Sequence, residues 1–317
     1  MPLACQSLSS DKKEVAARAT RARNAIPRRC ADVPFMAPFA LVTPATPEEA
    51  IARLRQGPEE EVAVLAGGTD LLFDIEAQRT RPRTVLSLRR LPWRTLEWSG
   101  ATLTVGSTLP LRSLENDPDV RLRLPGLYHA VRAVGSVALR HRATLGGNLG
   151  RAAPASDLVP MLLALDAEVD LVGPQGERTV SVDRFVEGSR KTARGPAELI
   201  RSVRFPEARP SAYLWQRVRP FHDISHLAVA VALSPTDGRW RVAIAGFPPR
   251  PVRLPPVEAE LDAPYPTDAS VARAADLLAR DAPIVADRRA SEEYRRQLVR
   301  PLFARAVRAA VPSPRAP

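Results

Sequence analysis

Residues that commonly bind metal clusters are scarce in this chain. Its 317 residues include two cysteines, Cys5 and Cys30, and both lie in a polar N-terminal stretch. Neither has a second cysteine or a histidine at the spacing of a zinc or iron–sulfur site. The sequence therefore predicts that the chain supplies no metal centre of its own.

Long apolar runs are also missing. No stretch approaches the roughly 18 consecutive apolar residues that a membrane span needs. The first thirty residues are basic but contain no apolar segment typical of a secretory signal. We therefore expect a cytoplasmic protein without a membrane span.

Lysine is rare, although the net charge is +11. The lysines are Lys12, Lys13 and Lys191, so arginine carries nearly all of the positive charge. The arginines are scattered along the chain and are not interleaved with aromatic residues, which make up 5% of the sequence. This pattern does not favour nucleic-acid binding, and it leaves open a basic face toward an acidic partner subunit.

A first glycine motif follows an apolar run at residues 62–65. The motif reads Leu65-Ala66-Gly67-Gly68-Thr69-Asp70-Leu71 and leads into a pattern typical of a helix. A tight turn between a strand and a helix directs backbone N–H groups and a helix N-terminus at one point, which suits a pyrophosphate. An ordinary turn is the competing interpretation, because glycine is frequent wherever the backbone needs positive φ.

A second glycine motif favours the phosphate interpretation. It comprises Ala143, Thr144, Leu145, Gly146, Gly147 and Asn148, some eighty residues after the first. Ser156-Asp157 then precedes an apolar helix at about residues 158–165, with either residue as its N-cap. The sequence predicts two Gly-Gly turns that hold one diphosphate between them.

The remaining patterns divide the chain into three parts. Residues 1–35 form a polar extension, and Met36 is an alternative start. Residues 36–92 alternate helix and strand, which indicates a small parallel α/β subdomain, and residues 93–208 contain hairpins typical of an antiparallel sheet. Beyond a proline-rich boundary at 206–210, three strands at 213–218, 227–233 and 240–245 precede helices at 257–261, 269–280 and 291–310. Residues 209–313 therefore indicate an α+β C-terminal domain.

Together, these motifs resemble the FAD-binding medium subunits of the molybdenum hydroxylases, the family of carbon monoxide dehydrogenase and bacterial xanthine dehydrogenase. The resemblance covers about residues 36–311. It is carried by both glycine motifs, by Arg140 ahead of the second, and by Pro154-Ala155-Ser156-Asp157 at the family spacing. It implies an α+β fold with a two-subdomain FAD-binding domain of the PCMH type, followed by a C-terminal domain of the carbon monoxide dehydrogenase flavoprotein type.

The resemblance also implies which residues contact FAD. The first motif wraps the pyrophosphate and ribitol, the second closes the other side of the diphosphate, and an aliphatic residue packs near the flavin. The residues at these positions are Leu65, Ala66, Gly67, Gly68, Thr69, Asp70, Leu71, Ala143, Thr144, Gly146, Gly147, Asn148, Ser156, Asp157 and Ile200.

One position departs from the family pattern. Many members have a lysine near the flavin in the strand before the Arg-x-x-x-Asp-Ile segment, and this chain has Gln216 there. A cation at that position stabilises a reduced, anionic flavin. Its loss therefore predicts a lower flavin potential or a different oxidant preference.

The function implied is electron transfer. A large molybdopterin-binding subunit and a small subunit with [2Fe–2S] clusters would deliver electrons to FAD, in a dimer of heterotrimers, and FAD would pass them to NAD, quinone or oxygen. The chain would carry no general acid or base, because Asp70 and Asp157 are better explained as helix caps or cofactor contacts. A flavin-free assembly subunit and a standalone flavin reductase are the alternatives.

Overall fold

The computed structural model describes residues 37–58, 61–219, 223–261 and 264–311. The predicted extension at residues 1–35 and the alternative start at Met36 lie outside these ranges. None of the described helices combines the length and hydropathy that a bilayer crossing requires.

A small parallel sheet comes first in the chain. It contains β1 (Ala40–Val42), β2 (Val62–Leu65) and β3 (Thr84–Ser87), in the order β1-β3-β2. Helix α1 (Pro47–Leu54) connects the first two strands, and α2 (Leu71–Glu76) follows the second. Because parallel strands end at the same edge, the first glycine motif leaves the sheet at its carboxyl edge.

Helix α1 begins at a side-chain cap. The side chain of Thr46 accepts a hydrogen bond from the backbone N–H of Glu49, and Pro47 occupies the first helical position. The Glu49 carboxylate reaches one residue beyond the cap and accepts from the N–H of Ala45. The start of this short helix is therefore fixed by local chemistry.

A five-stranded antiparallel sheet follows, in the order β4-β5-β10-β6-β7. Helices cover one of its faces. A short 3₁₀ turn (Leu88–Arg90) links it to β3, and a two-stranded hairpin lies beside it. Its strands and the hairpin are β4 (Leu96–Ser99), β5 (Thr102–Gly106), β6 (Glu168–Gly173), β7 (Gly176–Ser181), β8 (Val186–Gly188), β9 (Lys191–Thr192) and β10 (Leu199–Phe205).

The helices of this middle region are short. They are α3 (Leu111–Asn116), α4 (Pro118–Arg123), α5 (Pro125–Ala133), α6 (Val137–Arg140), α7 (Leu145–Arg151), α8 (Val159–Ala164) and α9 (Val182–Phe185). The apolar residues between 126 and 137 have the spacing of one continuous helix. The helix ends at Ala133 because Gly135 adopts a positive φ of 48°, a conformation outside the right-handed helical region.

The C-terminal unit begins at β11. Its sheet has the order β11-β12-β13-β14, and two long helices pack on its outer face. The fourth strand has two residues and was absent from the sequence prediction. The elements are β11 (Ser211–Gln216), β12 (Leu227–Leu233), β13 (Trp240–Ala245), β14 (Val252–Arg253), α10 (Pro255–Ala259), α11 (Asp268–Asp281) and α12 (Glu292–Ala310).

Strand β12 is buried on both faces, and its sequence LAVAVAL explains how. Ala228, Ala230 and Ala232 face the core of the middle region, whereas the leucines and valines between them face the C-terminal helices. Small side chains let α8 lie close against the sheet, and the larger ones fill the space under α11 and α12. The third sheet therefore joins two cores, and it brings β11 and β12 against the loops around the second glycine motif.

Candidate functional site

The first glycine motif forms a tight loop at the end of β2. Gly68 has a φ of 82°, a conformation that side chains with a Cβ rarely adopt. Gly67 has a different constraint. A Cβ on it would lie 2.0 Å from the backbone oxygen of Arg142, so only glycine fits this contact.

The second glycine motif is not a turn, which corrects the sequence prediction. Gly146 and Gly147 lie in the first turn of α7, and Thr144 is its N-cap, with Oγ1 accepting from the N–H of Gly147 at 3.0 Å. The cap places the helix start at Leu145 and turns the glycine pair into helix. Gly146 is required for packing, since its Cβ would lie 2.5 Å from Cβ of Ser107.

The two motifs touch each other. Gly67 packs on the backbone of Arg142 and Ala143, and a Cβ on Gly147 would lie 3.8 Å from Cβ of Ala66. Gly147 is exposed and Thr69 is half-buried, so the junction is open on one side. The fold therefore brings together two segments that are some eighty residues apart in the sequence.

Within the described part of the chain, several hydrogen-bond donors at this junction have no protein acceptor. No hydrogen bond between described residues uses the backbone N–H of Gly67, Gly68 or Thr69. The side-chain amide nitrogen of Asn148 is likewise unused there, since only its oxygen is engaged. Unbonded amides close to a helix N-terminus suit an anion. These residues fit the diphosphate of FAD.

An ion bridge fixes the helices behind the two motifs. Arg151, at the end of α7, places Nη1 at 2.6 Å from Oδ2 of Asp74 in α2 and Nε at 3.6 Å from Asp70. Arg79 adds a contact of 3.2 Å to the other oxygen of Asp74. Burial by itself would raise the pKa of Asp74, but the hydrogen bonds and charges of Arg151 and Arg79 outweigh it and lower the pKa.

This bridge predicts a specific pH dependence of stability. Because its folded-state pKa lies below the ordinary value of 3.8, Asp74 stabilises the fold fully above that value. The stabilisation is lost as the pH falls through the lowered folded-state pKa. We expect Asp74→Asn to lower the free energy of unfolding by a constant amount above about pH 5 and by less below the ordinary pKa. Urea unfolding of both proteins across this range measures the difference, and a gap that widened on acidification would contradict the assignment.

Arg140 supports the second motif from below. Its guanidinium is buried and makes two hydrogen bonds to Glu115, at 2.8 and 3.1 Å. Its Nη1 also donates to the carbonyls of Arg132, Val134 and Gly135. Arg140 therefore anchors the segment that carries Ala143 and Thr144. Its guanidinium donors are engaged in these protein contacts.

Ser156 and Asp157 point to different partners. Ser156 is buried, and its Oγ donates to Oδ1 of Asn148 at 2.6 Å while accepting from the N–H groups of Leu158 and Val159. Ser156 thus caps the start of α8 and holds a residue of the second motif. Asp157 makes no such cap.

The carboxylate of Asp157 faces the C-terminal unit. Oδ1 accepts from Tyr213 and Ser225 at 2.7 Å each, and Oδ2 accepts from Arg217 at 2.8 Å. Burial raises the pKa of Asp157, although the charge of Arg217 and the hydrogen bonds act in the opposite direction. A carboxylate with three donors has little capacity left for a further ligand.

Two further predicted residues lie at the edges of this arrangement. Ile200, in β10, is buried behind α7, where a Cβ on Gly150 would lie 3.8 Å from its Cδ1. Gln216 ends β11 half-buried, and its side chain donates to the backbone oxygen of Arg217. Gln216 is connected to the motif region through its neighbour Arg217. Asp70 stands at the N-cap position of α2 without a side-chain capping bond.

Sequence reasoning missed the residues that connect these segments. Arg151, Arg217 and Tyr213 carry no local motif, and their roles depend on partners 56 to 77 residues away in the chain. The one sequence signal for them is the excess of arginine over lysine, since a planar guanidinium can donate several hydrogen bonds at once. Tertiary contact was needed to find them.

Two family models match the chain. Residues 37–208 match the FAD-binding domain in molybdopterin dehydrogenase, and residues 212–310 match the CO dehydrogenase flavoprotein C-terminal domain. The first match covers more than half of the sequence. Both matches fall on the sheets and motifs described above.

Individual relatives agree with the family models. The chain is 29% identical over 270 residues to the nicotine 6-hydroxylase medium subunit of Paenarthrobacter nicotinovorans, covering 84% of this chain and 94% of the relative. It is 33% identical over 156 residues to the nicotinate dehydrogenase FAD-subunit of Eubacterium barkeri, covering 48% and 52%.

A solved structure shows the same fold. The chain superposes with a TM-score of 0.79 and 27% identity on a chain of the carbon monoxide dehydrogenase from Hydrogenophaga pseudoflava that lacks the Mo-pyranopterin moiety of its cofactor, covering 87% of this chain and 98% of that one. The motifs, the fold and these relatives agree. The chain belongs to the family of FAD-binding medium subunits of the molybdenum hydroxylases.

Proposed function

We propose that this chain transfers electrons through FAD, from [2Fe–2S] clusters of a partner subunit to a final acceptor such as NAD, quinone or oxygen. The observation that carries the proposal is the contact between the two glycine motifs, where Gly67 packs on the backbone of Arg142. That contact places the unbonded amides of the first segment beside the first turn of α7, which is the arrangement that a diphosphate site requires.

The residues of this chain bind and orient the cofactor, and FAD supplies the redox chemistry when bound. In the proposal, the loop from Leu65 to Leu71 holds one side of the diphosphate. The first turn of α7, from Thr144 to Asn148, holds the other side and directs its helix dipole at the negative charge. The Thr69 hydroxyl and the Asn148 amide complete the hydrogen bonds.

The remaining predicted residues act around this clamp. Ser156 keeps Asn148 in place through its 2.6 Å hydrogen bond. Ile200 supplies an apolar wall, and Gln216, at the end of β11, lies near the flavin in this proposal. Asp157 supports the clamp indirectly, because its carboxylate accepts hydrogen bonds from three donors of the C-terminal unit.

The partners in this proposal are a large molybdopterin-binding subunit and a small [2Fe–2S] subunit, assembled as a dimer of heterotrimers. The relatives include a medium subunit of nicotine 6-hydroxylase and a chain of a carbon monoxide dehydrogenase. An anionic cofactor accounts for the unbonded donors at the site, and because FAD supplies the redox chemistry we assign no acid or base to this chain.

Affinity purification of the native complex tests the proposal. We expect iron and molybdenum to co-elute with the flavin in fixed ratio, and the flavin absorption to bleach when the substrate of the large subunit is added. Turnover of a nicotinamide substrate by the chain alone would favour a standalone flavin reductase. A complex whose medium subunit lacks flavin and cannot be reconstituted with FAD would favour an assembly role.

A further inference from the structure

A buried cluster joins the C-terminal unit to the loop behind the second glycine motif. Asp157 accepts hydrogen bonds from Tyr213, Arg217 and Ser225 at 2.7 to 2.8 Å. The three donors come from β11, the residue after it, and the segment that leads into β12. Asp157 comes from the loop between α7 and α8.

Arg217 is the member that connects the most elements. Its Nη2 donates to Asp157 at 2.8 Å and to the carbonyl of Ala133, at the end of α5, at 2.9 Å. Its Nε donates to Ser225 at 3.2 Å, and its guanidinium lies 5.4 Å from the ring centre of Trp215. With 6% of the side chain exposed, these bonds form away from water. The planar, forked guanidinium makes this set of contacts, which a single ammonium nitrogen cannot reproduce.

A short path leads from this cluster to the cofactor-binding segment. Ser156 is the direct neighbour of Asp157, and its hydroxyl is bonded to Asn148 at 2.6 Å. Asn148 lies in α7, whose first turn contains Gly146 and Gly147. A shift of the Asp157 carboxylate would therefore move Ser156 and release the Asn148 side chain.

We propose that Arg217 is a positioning residue for FAD binding, which acts across the domain boundary by holding Asp157 and, through Ser156 and Asn148, the first turn of α7. This inference rests on the proposed site at the two glycine motifs. It gives the C-terminal unit a defined role in cofactor affinity. Replacing Arg217 leaves a buried carboxylate without its cation, and such a group is costly unless it moves or takes up a proton.

Arg209 provides a matched control. It is also buried, with 5% of its side chain exposed, and it also links the two units, through the carbonyl of Ala164 at 3.2 Å and Asp166 at 2.8 Å. None of its hydrogen bonds leads to α7 or to Ser156. Arg209→Met therefore removes a comparable interdomain bond without touching the path to the cofactor.

The test compares FAD affinity with stability in the full-length chain, using flavin fluorescence titration and thermal unfolding. We expect Arg217→Met and Arg209→Met both to lower the melting temperature, and only Arg217→Met to weaken FAD binding, by about ten-fold or more. Arg217→Lys should recover part of the affinity, because it restores the charge beside Asp157 but not the other bonds.

A double-mutant cycle identifies the route. If Arg217 acts through Asp157, then Arg217→Met combined with Asp157→Asn should weaken FAD binding no more than the stronger single change. Unchanged affinity in Arg217→Met, equal weakening in Arg209→Met, or additive effects in the double variant would each overturn the inference. A wild-type chain that fails to bind FAD would instead refute the proposed site itself.

Discussion

Gly67→Val is expected to abolish FAD retention while leaving the chain folded. A Cβ at residue 67 would lie 2.0 Å from the Arg142 oxygen and 2.8 Å from the Arg142 carbonyl carbon. Both are backbone atoms, so the overlap cannot be relieved by a rotamer change, and the two glycine motifs must separate. We expect FAD affinity to fall by at least about 100-fold, equivalent to ~2.7 kcal/mol. Flavin absorbance after desalting measures the loss.

Gly188→Ala is the control for this substitution. Gly188 lies in the β8–β9 hairpin, and a Cβ there would first meet Lys191 at 4.0 Å, an ordinary contact. The control should keep its flavin. Circular dichroism should show wild-type secondary structure for both variants, because the Gly67 loop lies at the surface edge of the small sheet. Flavin retention by Gly67→Val would show that the first motif does not bind the diphosphate.

Arg295→Met is expected to destabilise the C-terminal unit strongly. Arg295 is fully buried in α12 and donates to the carbonyls of His226, Gly246 and Val285 and to the carboxylate of Asp287, the last at 2.7 Å. Methionine fills part of the volume but leaves the three carbonyls without the guanidinium donor, whereas Asp287 keeps its bonds to Arg289 and Ala290. Because each buried carbonyl that loses its donor costs about 1–3 kcal/mol, we expect the free energy of unfolding to fall by about 3 kcal/mol or more. Urea unfolding followed by tryptophan fluorescence measures the effect.

Arg308→Met, in the same helix, is the comparison. Arg308 pairs with Asp268 at 3.1 Å, but both side chains are exposed, at 65% and 90%. Solvent screening limits such a pair to less than about 1 kcal/mol. The same substitution in one helix should therefore give two very different losses of stability. Similar losses would mean that the Arg295 bonds contribute little beyond helix packing.

Local chemistry explains why much of the fold could be read from the sequence. The apolar run at 62–65 and the strands predicted at 227–233 and 240–245 have the bounds of the observed strands. Each is a β-branched or alternating run with turn residues on both sides, so the pattern has one consistent solution. The Ser291 cap of α12 was likewise predictable, and its hydroxyl accepts from the N–H of Tyr294 at 3.2 Å.

The errors arose where a periodic pattern hides a break in the backbone. Residues 126–137 have one helical periodicity, yet Gly135 adopts a positive φ and ends the helix, and Arg140 donates to the carbonyls of Val134 and Gly135. The glycine pair after Thr144 reads locally as a turn, but the cap on Gly147 and the contact with Ser107 make it the start of a helix. In the second case a tertiary contact with Ser107 adds to the local cap, and tertiary context of this kind overrides local preference.

The sequence by itself determined the family, the cofactor and the two glycine motifs, because these depend on residue types at fixed local spacing. Only the tertiary structure decided that the motifs touch through Gly67 and Arg142, and that Asp157 turns to Arg217 of the C-terminal unit. Spacing along a chain does not specify which buried charges meet, since that depends on how the sheets pack. The physical reason is that a buried carboxylate or guanidinium requires a partner of opposite charge. Folding brings that partner from a residue distant in the sequence, as Arg217 is from Asp157.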